Sequence, residues 1–117
     1  MPYVDGFVVP VPKKNVKKYK AMASRAGKIW MKYGALAFRE CQADDVKPGK
    51  WTSFPQSVKL KKDEIVFFSY IVYKSRKDRD RINMKVMSDP RLQLDMKNAP
   101  FDAKRMIWGG FTTVIDL

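Results

Sequence analysis

The chain has no histidine and only one cysteine, Cys41, in 117 residues. Without histidine it lacks the side chain whose ordinary pKa lies nearest neutrality, which is also the commonest nitrogen ligand for metals. A lone cysteine closes no internal disulfide, so a reducing compartment, the cytoplasm, is expected. No apolar run approaches the ~18 residues that a membrane span needs. The first residues also lack the charged, apolar, small-residue order of a secretory leader. A glycine-rich phosphate loop, a zinc-ligand spacing and a Ser-His-Asp set are all missing, so no cofactor and no metal is expected. Acidic residues are few, 12 against 24 basic ones, leaving a net charge of +12. What is present is apolar: 45% of the residues are hydrophobic and 13% aromatic. That is enough for one packed domain over residues 1–117 and too much for a disordered tail.

Hydropathy patterning divides the chain into six main elements. Tyr3–Val11 is β-branched and aromatic and reads as a strand that frays at Pro10, where a ladder hydrogen bond is lost. From Lys13 to Tyr33, Val16, Tyr19, Ala23, Ala26, Trp30 and Tyr33 recur at alternating intervals of three and four. They form one stripe of an α-helix, and Gly34 stops it. Ala35–Asp45 is a weaker strand. Lys47-Pro48-Gly49-Lys50 has turn chemistry, so residues 46–59 read as a hairpin arm with a helical turn near Pro55. Glu64–Tyr73 (EIVFFSYIVY) is the strongest strand. Ser75 and Asp78 form a capping box for a helix ending before Pro90. Arg91–Asn98 is a linker or a short helix. Arg105–Ile115 is the last strand, and Gly109-Gly110 within it suggests a bulge or a close backbone approach. The order β-α-β-β-α-β predicts an α+β, ferredoxin-like fold with an antiparallel sheet and both helices on one face.

In such a fold a strand with one wet face alternates apolar and polar residues. The third strand does not: Ile65, Phe67 and Ile71 point one way, and Val66, Phe68, Tyr70 and Val72 the other. Burying one such side chain contributes about 1.5–3 kcal/mol, so a second cover is expected. A second copy packed sheet to sheet would give a homodimer, a dimeric α+β barrel. Alternatively, the arm and the Arg91–Asn98 segment fold over that face.

Polar residues within apolar strands are the candidates for chemistry. Asp5 is a general base, half of a structural pair with Arg39 or Arg105, or exposed near a strand end. Glu40 shares a strand face with Leu36 and Phe38, and Cys41 lies on the opposite face as either a nucleophile or a small buried hydrophobe. Ser69 could bond a ligand, and Trp108, beside the paired glycines, has room to line a pocket. The helix carries Lys14, Lys17, Lys18, Arg25, Lys28 and Lys32 with no acidic residue between Lys13 and Gly34. That makes it either a solvated face or a polyanion-binding surface.

Five motifs resemble one family. They are YVDGFVVPVPKKN (Tyr3–Asn15), Arg39-Glu40-Cys41 with Ala43-Asp44-Asp45-Val46, Thr52-Ser53-Phe54-Pro55 with Val58-Lys59, MSDPR (Met87–Arg91) and PFDAKRMIWGGF (Pro100–Phe111). Together they are similar to the YbaA-like family of small bacterial proteins of unknown function. The resemblance implies a dimeric α+β barrel, a superfamily with small monooxygenases, haem-degrading enzymes, isomerases and ligand-binding modules. It supplies no catalytic residue. The first functional expectation is therefore a homodimer that binds a small molecule or acts as a cofactor-free enzyme. Asp5, Glu40 or Cys41 would be the reactive group, Arg105 would fix an anionic substrate, and Phe67, Ser69, Tyr70 and Trp108 would shape the pocket. The alternative is an RNA- or polyanion-binding protein using the Lys13–Lys32 helix.

Overall fold

In the computed structural model, which describes residues 1–117, four antiparallel strands form one sheet. The strands are β1 (Tyr3–Pro12), β2 (Ala37–Gln42), β3 (Glu64–Tyr73) and β4 (Ile107–Thr112), in the spatial order β2-β3-β1-β4. The helices are α1 (Val16–Lys32), α2 (Phe54–Ser57), α3 (Arg76–Met87) and α4 (Pro90–Lys97). This is the ferredoxin-like α+β arrangement expected from the element order.

Strand β1 does not fray at Pro10; it pairs with β3 as far as Pro12, opposite Glu64. The reason is register. The Lys13 N–H donates to the Asp63 carbonyl across the β1–β3 ladder, so alternate residues Pro10 and Pro12 turn their nitrogens toward the β4 side. Pairing with β4 ends at Val8, and the missing donors leave no gap.

Helix α1 buries the predicted stripe of Tyr19, Ala23, Ala26 and Trp30. It ends at Gly34, whose φ of 116° is left-handed. At Gly27 a Cβ would stand 2.7 Å from the Phe38 ring, so glycine lets α1 press directly onto β2. The Ser75 hydroxyl caps α3 by accepting from the Asp78 N–H.

Other expectations change. Residues 46–59 make no hairpin; the segment holds only α2, capped by Ser53. Pro90 does not merely stop α3. Asp89 accepts from the Arg91 N–H and caps α4, which begins at Pro90. Helix α4 buries Leu92 in the helix-side core instead of crossing the other face. Gly109 and Gly110 lie in unbroken register opposite Gly6 and Asp5, with no bulge. The close neighbours of Gly110 are side chains, Tyr3 and Arg79, and not backbone.

On the sheet face away from the helices, Val58 packs with Val8 and Val66 at one end, and Phe54 of α2 stands edge-on to Phe68. The rest is uncovered. Phe68, Ile107 and Phe111 are exposed there.

Candidate functional site

On the helix side, register aligns one residue from each strand. Glu40 is opposite Ser69, Ser69 opposite Phe7, and Phe7 opposite Trp108. This row crosses the whole sheet, roughly 14 Å at ~4.8 Å per strand spacing. Above Ser69, α1 presents Ala23 and Ala26. Where three small side chains meet, sheet and helix cannot close, and a cavity of about 310 Å³ remains. That volume lies at the low end of small-ligand pockets, ~300–1,000 Å³. Phe38, Trp30, Phe101, Met22, Met106 and Leu92 contribute to its walls.

Glu40 is the polar centre at the β2 end. Its Oε1 accepts a 2.9 Å hydrogen bond from the Tyr19 hydroxyl. Burial pushes the Glu40 carboxyl up to about 7, against the opposing pull of hydrogen bonding from Tyr19 and Ser69. Burial and the adjacent Glu40 also push the Tyr19 phenol upward, so it stays a donor. A carboxyl poised near neutrality can accept or release a proton under ordinary conditions. Glu40 also borders a shallower groove between α1 and β2 that contains Lys20 and Lys28. It therefore touches both the cavity and a route to solvent.

Asp5 is 2% exposed, and its partner is neither Arg39 nor Arg105. Arg79 of α3 reaches down with Nη2 at 2.9 Å from Oδ1 and Nε at 3.1 Å from both carboxylate oxygens. Beside it, Trp30 Nε1 and the Tyr73 hydroxyl both donate to Asn83 Oδ1, at 3.0 and 3.2 Å. Asn83 lines the cavity, so the acceptor side of its amide is engaged while its NH₂ remains available to donate.

The structure thus brings Glu40, Ser69, Trp108 and Asp5 to one cavity. Trp108 stands at its outer edge, stacked on Phe7 at 6.4 Å. Phe67 packs against Tyr19 in the adjoining row. Tyr70 and Cys41 point to the opposite sheet face, where Cys41 is exposed. Arg105 does not line the cavity. It is tied to Glu64 at 2.5 and 2.8 Å, to Asp102 at 2.9 Å, and to the Val58 and Lys59 carbonyls. Lys14, Lys17, Lys18, Lys28 and Lys32 are exposed along the first helical stretch, whereas Arg25 is held by Asp95 at 2.9 Å.

Sequence reasoning missed Tyr19, Asn83 and Arg79. Tyr19 was one more member of an apolar stripe, although a hydroxyl amid alanines was a usable signal. Asn83 and Arg79 sit on a helix so polar that nothing marked them out. No three Cys, Asp or Glu side chains converge as a metal-holding group, and no helix is long and apolar enough to cross a membrane.

The fold and site define a class: a ferredoxin-like α+β domain with a largely apolar cavity between sheet and helices and a hydrogen-bonded Glu40–Tyr19 pair in its lining. The chain belongs to the family described as "Protein of unknown function (DUF1428)", which matches residues 2–103. It is 48% identical to the "Uncharacterized protein YbaA" of Escherichia coli (strain K12) over 116 residues, 99% of each chain. Two solved structures share the fold. A putative antibiotic biosynthesis monooxygenase from Nitrosomonas europaea has a TM-score of 0.64 at 15% identity, over 97% of this chain and 90% of its own. A variant of SnoaB, a cofactor-independent oxygenase from Streptomyces nogalater, has a TM-score of 0.60 at 13% identity, over 99% and 94%.

Proposed function

We propose that this protein binds a small, largely apolar molecule in the cavity between sheet and helices, with Glu40 and Tyr19 holding or moving a proton on it. The observation that carries this reading is Glu40, the one carboxyl of a largely apolar pocket that has no ion pair, held up to about 7 by burial and hydrogen-bonded to Tyr19. Ser69 and the Asn83 amide would orient the ligand, and Trp108 would close the outer edge. A cofactor-free reaction fits this set because proton transfer needs only a base of suitable pKa and a water-poor site. Two solved structures of the same fold are described as a putative antibiotic biosynthesis monooxygenase and a cofactor-independent oxygenase, which is in keeping with such chemistry.

The working form is a homodimer joined through the uncovered sheet face, placed in the cytoplasm. Exposed Phe68, Ile107 and Phe111 on one face favour a partner over water. The test of the ligand reading is direct. Trp30 and Trp108 line the cavity, so a bound apolar molecule should change tryptophan fluorescence, and Ala23→Phe, which fills the space, should abolish the change. An unaltered response in a folded Ala23→Phe protein would exclude this cavity.

A further inference from the structure

Resting on the reading of the cavity as a ligand site, we infer that its occupant is an apolar molecule bearing a protonated amine, and that the amine meets the Glu40 carboxylate. The argument is one of charge. None of the 24 Lys and Arg residues of this +12 chain lines the cavity, whereas three carboxylates do: Asp5, Glu40 and Asp95. Two of these are already answered by cations from outside it, Asp5 by Arg79 and Asp95 by Arg25. Glu40 has no Lys or Arg within 4.0 Å, and its hydrogen-bond donor, the Tyr19 hydroxyl, is neutral.

An ionised carboxylate in such surroundings lacks compensation. An anionic ligand would add a second uncompensated charge. A neutral hydroxyl would satisfy a lone pair and leave the charge. An ammonium group does both, and its charge-assisted hydrogen bond is the stronger kind. The cavity walls suit it too, since aromatic faces attract cations.

Each element packed against Glu40 contributes known groups: Tyr19 from α1, Ser69 from β3, and Phe38 from its own strand. Lys20 and Lys28 border the solvent groove behind it, exposed and without an ion pair to it. They face water and leave the cavity side to the ligand.

The experiment titrates the purified protein with three probes of one size: phenethylamine, phenethyl alcohol and phenylacetate. Binding is followed by tryptophan fluorescence and calorimetry. The amine is expected to bind roughly tenfold or more tighter than the alcohol, the usual margin of a charged over a neutral hydrogen bond, with phenylacetate weakest. Glu40→Gln should erase the amine's advantage, bringing the amine-to-alcohol affinity ratio to about one. If that variant does not fold, the pH profile of the unaltered protein decides. Amine affinity should fall roughly tenfold from about pH 8 to about pH 5 as Glu40 takes up its proton, with the alcohol's constant. Equal affinities for amine and alcohol, or phenylacetate binding best, would overturn the charge assignment and leave the cavity reading standing. Failure of all three probes to bind would overturn both.

Discussion

Asp5 and Arg79 are 74 residues apart in sequence and joined side-on in space, with Arg79 Nη2 2.9 Å from Asp5 Oδ1 and Nε 3.1 Å from both carboxylate oxygens. Their side chains are 2% and 12% exposed. The guanidinium also lies over the Tyr3 ring. The pair fastens α3 to the central strand and frees the cavity of a charge it would otherwise carry.

Removing one partner of this pair should therefore be costly. Asp5→Ala or Arg79→Ala leaves a buried charge unanswered and should destabilise by about 3–5 kcal/mol in denaturant unfolding. The double variant should lose less than the sum of the two singles. Additive losses would mean that the two groups do not act as a pair.

Glu40 should make the protein less stable as pH rises. Its folded-state pKa, about 7, lies above the ordinary 4.5, so between these values the folded state binds more protons than the unfolded one. Stability then falls as pH rises through that window and levels off above it. Glu40→Gln should remove this slope and raise the melting temperature at about pH 8. A slope unchanged in the variant would contradict the assignment.

Glu64 should act in the opposite sense. The Arg105 guanidinium holds its carboxyl below the usual range, so its contribution is present above the ordinary pKa and lost as acid protonates it. Arg105→Ala should cost roughly 3 kcal/mol. Arg105→Lys should recover little, because an ammonium cannot span Glu64, Asp102 and two carbonyls at once. Neither change should alter probe binding in the cavity, which Arg105 does not line.

The uncovered sheet face should govern assembly. Sedimentation should give a mass twice the 13.6 kDa of one chain, and Phe68→Lys with Phe111→Lys should return it to one chain while keeping the fold. A single-chain mass for the unaltered protein at micromolar concentration would remove the dimer.

Several features were legible without coordinates. The EIVFFSYIVY run reads as a strand with the limits that β3 has, Glu64–Tyr73, because a long β-branched and aromatic run has one good local solution. The α1 stripe and the Ser75 cap were equally local. Strand β1 continues past Pro10, because the penalty of a proline depends on which neighbour its nitrogen faces, and local sequence does not show that. The 46–59 arm differs because Pro48-Gly49 has turn chemistry, yet no strand follows it and Ser53 instead caps α2 at Phe54. Within the site, Glu40 and Ser69 stood out as polar residues in apolar runs. Tyr19 and Arg79 did not, since their meaning comes from the residues they face.

The sequence alone determined the order of elements, the two apolar faces of β3 and the absence of histidine chemistry, since these rest on local periodicity and composition. Only the tertiary structure decided that Glu40, Ser69, Phe7 and Trp108 share a row, that Ala23 and Ala26 stand above it, and that Arg79 and Arg105 are committed elsewhere. Strand register and helix docking place residues far apart in the chain within a few ångströms of one another. The charge and volume of a cavity are properties of that placement.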